Sequence, residues 1–209
     1  MADEHAILLP RAYYSAITVF LNSRPETILG ALLANSEMAV EPPQRDAWLQ
    51  EIAILKDSLQ GLDGTLFLEF NTPRMGKHID AVVVAGAIVF VIECKVGEKH
   101  FTRADLDQVW DYALDLKNFH EASHAVPILP ILVATEAAVG DRRLPAPHED
   151  QVYPPVQSNS HGIRLGPPHL PRRQVVRTAQ RRSPELPPQR VPRAPDPRAA
   201  GHGDLCPAG

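Results

Sequence analysis

One run, from His78 to Lys95, constrains this chain more than any other. Two apolar stretches, Ala81 to Ala85 and Ile88 to Ile92, are separated only by Gly86-Ala87. A two-residue loop led by Gly suits a type II′ turn, so the run is expected to be a β-hairpin. Pairing Ala85 with Ile88 puts Asp80 directly across from Glu93. Opposed side chains lie roughly 4.5–5.5 Å apart at Cβ, a spacing at which two like charges repel unless a positive group lies between them. A divalent metal would remove that penalty. Lys95 is two residues past Glu93 and therefore shares its face, while Cys94 points the other way.

Composition divides the 209 residues in two. Fourteen of the 21 prolines fall after residue 140, where there are eleven arginines, no lysine, no Phe, no Trp and one Ile. Such a segment has too few large apolar side chains to offset the entropy of ordering it. Residues 141–209 are therefore expected to be a Pro/Arg-rich disordered tail, with a composition like that of an out-of-frame translation. The charge is −9 before residue 141 and +5 after it. An acidic body argues against a broad DNA-coating surface but leaves room for a local basic groove. The cysteines, Cys94 and Cys206, fall in an expected strand and in the tail, so no disulfide framework is expected. The N-terminus lacks a basic-then-apolar leader and no apolar run reaches the ~18–20 residues of a membrane span, which suits a cytoplasmic protein with no membrane partner.

Along the body, Ala12 to Leu21 reads as a short helix. Ser23-Arg24-Pro25-Glu26 reads as a capping box opening a second helix to about Met38. Residues 1–43 are thus expected to form a helical cap. Gln44 to Gln60 is a further helix, with Trp48, Ile52, Leu55 and Leu59 in one stripe, Glu51 beside it and Gly61 as its stop. Thr65 to Phe70 is a strand, followed by a loop carrying Arg74 and Lys77, then the hairpin. Thr102-Arg103-Ala104-Asp105 opens a helix to about Phe119, burying Leu106, Val109, Trp110, Ala113 and Leu116, with Gln108 and Tyr112 on a neighbouring face. Val126 to Thr135 is a last strand, whose Pro127 and Pro130 point to an edge position or an early bulge. His78, His100, His120 and His124 are scattered as surface histidines would be.

This order resembles the PD-(D/E)XK nuclease superfamily, whose α/β core runs αβββαβ and whose signature is an acid, a hairpin and an (Asp/Glu)-x-Lys triplet. Asp80 and Glu93-Cys94-Lys95 match it. Gln108-Val109-Trp110-Asp111-Tyr112 matches the Gln-x-x-x-Tyr element of the RecB-like branch, and Glu51 occupies the place of the first-helix acid. More closely, the stretch from Pro73 to about Ala137 looks like the N-terminal nuclease-like domain of bacterial Schlafen-like helicases. In that family an ATP-driven helicase module follows. No GxxxxGK[ST] occurs in these 209 residues, since Gly76-Lys77 has Asn71 where the first Gly should stand. The resemblance therefore covers residues 1–140, with the nuclease-like core at 44–140, and describes a truncated or frameshifted member.

The resemblance implies a restriction-endonuclease-like fold and metal-dependent phosphodiester hydrolysis of nucleic acid, DNA before RNA. Asp80, Glu93 and the backbone carbonyl of Cys94 would hold magnesium or manganese, hard cations that take oxygen ligands. Lys95 would orient the attacking water or stabilise developing charge, and Glu51 would assist with a second ion or water. Gln108 and Tyr112 would support the metal site or the nucleic-acid backbone, and Arg74 and Lys77 would bind phosphate. For Asp80, Glu93 and Lys95 the alternative is a structural ion cluster. For the whole domain the alternatives are a catalytically silent nucleic-acid-binding or docking module, or an inactive fragment.

Overall fold

The computed structural model describes residues 12–36, 39–72, 77–139, 144–162 and 165. They form a mixed α/β fold around one six-stranded sheet. The strands are β1 (Tyr13–Ala16), β2 (Gly64–Asn71), β3 (His78–Ala85), β4 (Ile88–Lys95), β5 (Ile128–Ala134) and β6 (Val156–Ser158), and they lie in that order across the sheet. Neighbours from β1 to β4 are antiparallel, while β4, β5 and β6 run parallel. The helices are α1 (Ile17–Asn22), α2 (Pro25–Asn35), α3 (Pro42–Ser58) and α4 (Arg103–Phe119). From α3 to β5 the elements run helix, three strands, helix, strand. Among the described residues no helix is long and apolar enough to cross a membrane.

The hairpin register is the expected one from Ala85–Ile88 to Ala81–Ile92, where the paired ladder ends short of Asp80 and Glu93, and Gly86 takes φ +60 as the first loop position of a II′ turn requires. β4 is buried along nearly its whole length because a core lies on each side of it. On one face Phe90, Ile92 and Cys94 join α1, α2 and the α3 stripe of Trp48, Ile52, Leu55 and Leu59. On the other, Val89 and Val91 meet Val109, Ala113 and Leu116 of α4. Thr102 caps α4, its hydroxyl accepting from the Asp105 amide at 3.1 Å and donating to the Asp105 carboxylate at 2.6 Å. Leu106 and Trp110 are half-buried at the margin of that core, and Trp110 meets His148 edge-on.

Four expectations are corrected. The first residues of the expected helix 12–21 form β1 instead, so the N-terminal segment contributes an edge strand as well as helices. The capping box at Ser23 does not form, because the Ser23 hydroxyl turns back to donate to the Val19 carbonyl at the end of α1. β5 is not an edge strand, for β6 covers it. Pro130 is tolerated there because pairing on that side is interrupted between Val152 and Val156, opposite Pro154-Pro155. Finally, packing does not stop at residue 140. Val152, Tyr153, Ser158 and Leu165 are buried, so the start of the Pro/Arg-rich segment belongs to the core.

Candidate active site

Where β2, β3 and β4 meet between α3 and α4, the chain gathers acids that its two cores would otherwise exclude. Glu93 and Lys95 follow the two-residue period onto the α4 side, where Gln108 faces them. The Gln108 amide donates to Glu93 Oε1 at 2.8 Å and to the Tyr112 hydroxyl oxygen at 2.7 Å. Lys95 Nζ donates to Glu93 Oε1 and to Gln108 Oε1, each at 3.0 Å, and lies 3.6 Å from Asp105. At the end of the hairpin, Asp80 Oδ2 accepts the Cys94 backbone N–H at 2.7 Å. Asp80, Glu93, Lys95, Gln108 and Tyr112 therefore sit together, as the sequence predicts, with Glu51 of α3 close enough to sense their charge.

The electrostatics are those of crowded, poorly hydrated carboxylates. Burial, with Asp80, Glu69 and Glu93 adding negative charge, pushes the Glu51 carboxyl up to about 10. Burial and the neighbouring Glu93 raise Asp80, against the pull of the Cys94 amide. Burial raises Glu93 too, although Lys95 opposes it. Burial alone would lower Lys95, but Glu93, Asp105 and Asp80 hold it above the ordinary lysine value, so it is protonated. Glu51 is only 8% exposed and Glu93 only 4%. Glu93 Oε2 is fully buried with no hydrogen-bond partner among the described residues. A buried polar atom left unpaired costs about 1–3 kcal/mol, so folding alone does not explain it.

Sequence reasoning misses Glu69. It takes a left-handed backbone, φ 52, in a strand whose register is unbroken on either side, Leu68 pairing with Ala81 and Phe70 with Ile79. For a glutamate this costs on the order of 1–3 kcal/mol. Its carboxylate accepts the Trp48 indole N–H and lies 3.7 Å from His78 Nδ1. Burial raises Glu69, partly offset by Trp48 and His78. Strand alternation would send Glu69 to the α4 side, and the kink that overrides it leaves no sequence signal.

The remaining expected residues divide. Lys77 is exposed in the loop before β3 and has no bond to the cluster, its carbonyl serving Thr72 instead. Arg74 lies outside the described residues. The Cys94 thiol is buried on the α3 side and burial pushes it well up, so only its backbone carbonyl remains as a ligand. No three Asp, Glu, His or Cys side chains among the described residues are placed to enclose a metal ion. One ion position would thus draw on two carboxylates at most. That still fits magnesium, which commonly keeps its waters and takes one or two carboxylates plus substrate phosphate. The orphaned Glu93 oxygen is the observation in favour of such an ion. No family model matches this chain, and no curated protein or solved structure is significantly similar to it.

Proposed function

We propose that this chain carries a metal-dependent nuclease-like domain that hydrolyses phosphodiester bonds in nucleic acid, DNA foremost. The reading includes a restriction-endonuclease-like core of the PD-(D/E)XK type, akin to the domain that Schlafen-like helicases join to a helicase module. The observation that carries it is the buried, unpartnered Glu93 oxygen inside the Asp80–Glu93–Lys95–Gln108–Tyr112 network. Asp80, Glu93 and the Cys94 carbonyl would hold magnesium or manganese, which supplies Lewis-acid relief of charge at the phosphate and an acidified water. Lys95, held by Glu93 and Gln108, would supply a positive charge to offset the negative charge that develops during cleavage. Gln108 keeps Lys95 and Glu93 in register, and Tyr112 anchors Gln108. Lys77, exposed at the loop, is placed to meet a phosphate.

The test is cleavage of labelled single- and double-stranded DNA while magnesium or manganese is titrated, comparing wild type with Asp80→Ala and Lys95→Ala. The expected outcome is metal-dependent cutting that falls about 100-fold or more in each variant. A folded protein that neither binds metal nor cuts would remove the reading. One observation favours a second reading, a catalytically silent nucleic-acid-binding module: no three ligating side chains converge among the described residues. DNA binding without cutting would establish it.

A further inference from the structure

We propose that Glu69 is a positioning residue that sets the direction of Asp80. The use of that direction in holding a cation rests on the nuclease reading; the geometric coupling does not. Glu69 stands across from Asp80, between the pairs Leu68–Ala81 and Phe70–Ile79. Leu68 and Ala81 belong to the core under α3. Phe70, two residues after Leu68, and Ile79, two residues before Ala81, pack into the core under α4. Residues two apart on a strand should share a face, so both strands change face at the Glu69–Asp80 step.

The cause lies in β2. Only Glu69 and Gln151 among the described non-glycine residues have positive φ, and such backbone persists only where its surroundings hold it. Trp48, anchored in α3 by burial of its ring, supplies that hold through its indole N–H. Released from Trp48, Glu69 can relax to ordinary extended backbone. Phe70 then loses its place in the α4 core and its partner Ile79 follows. Asp80, one residue from Ile79, loses the orientation with which it accepts the Cys94 amide.

The test uses the full chain and reads amide hydrogen exchange at Cys94 by NMR, with Val91, whose amide lies on the β5 side of β4, as internal control. Manganese binding by calorimetry is the second readout. Trp48→Phe and Glu69→Ala are expected to speed Cys94 exchange about tenfold without changing Val91, and to weaken manganese binding by a similar factor. Glu69→Gln keeps an oxygen acceptor for Trp48 and is expected to retain Cys94 protection. Equal acceleration at Cys94 and Val91, or unchanged exchange at Cys94 in Trp48→Phe, would overturn the proposal. Should Glu69→Ala not fold, Trp48→Phe and Glu69→Gln decide the matter. A wild type that binds no manganese would remove the metal reading while leaving Cys94 exchange to judge Glu69.

Discussion

Lys56 and Glu51 lie five residues apart on α3 and face opposite fates. Lys56 Nζ donates to the carbonyls of Phe20, Leu21 and Ser23 at 2.6, 2.9 and 2.7 Å, with its charge also over the Phe20 ring. Three donors meet three acceptors around the C-terminal end of α1, which favours a cation. Glu51 is buried among other acids with no such set of donors among the described residues. The first cluster is complete as a piece of architecture. The second holds Glu51 uncharged, its proton kept by burial among other acids, and ionises only if something positive is added; that difference separates a structural ion from a potential ligand more sharply than burial does.

The comparison can be broken in several ways. Lys56→Met should destabilise by about 3 kcal/mol in urea unfolding, since three carbonyls lose a charged donor. Manganese at a hundred times its dissociation constant should stabilise the wild type by about 2.7 kcal/mol and Asp80→Ala hardly at all, read as a shift in thermal midpoint. Stability should also fall with rising pH. Glu51 ionises near 4.5 in the unfolded chain and near 10 in the folded one, so in between the folded state keeps a proton that the unfolded state has lost. The stability present below pH 4.5 is thus lost progressively as pH rises toward about 10. Glu51→Gln should flatten the slope in chemical denaturation across that window. The smallest effect is a control: Arg103→Ala breaks the exposed pair with Asp107, changes stability by about 0.5 kcal/mol or less, and should leave the pH slope and the manganese shift unchanged.

Much of the site was legible because it obeys simple periods. The two-residue alternation places Glu93 and Lys95 on one face, and helical spacing aligns Gln108 with Tyr112, so the network linking them follows from counting. Glu69 was not legible, because a left-handed residue reverses the alternation from which its position would be deduced. β1 was missed because Tyr13–Ala16 is too short for a pattern to separate from the helix behind it. The boundary at residue 141 was misplaced for a different reason. Proline and arginine dominate the composition there, yet Val152 and Tyr153 are buried in the two cores and the backbone around them hydrogen-bonds to β5. Averages over 69 residues hide two good anchors.

β6 has a consequence for how copies of this protein behave toward one another. All seven residues of β5 are buried, and β6, with the bridge at Val152, occupies the edge that β5 would otherwise present. A chain cut at residue 140 would leave that apolar strand with open hydrogen-bonding groups, a template for pairing with its neighbours. The short strand that follows thus acts as a guard against edge-to-edge pairing, satisfying within one chain what two would otherwise share.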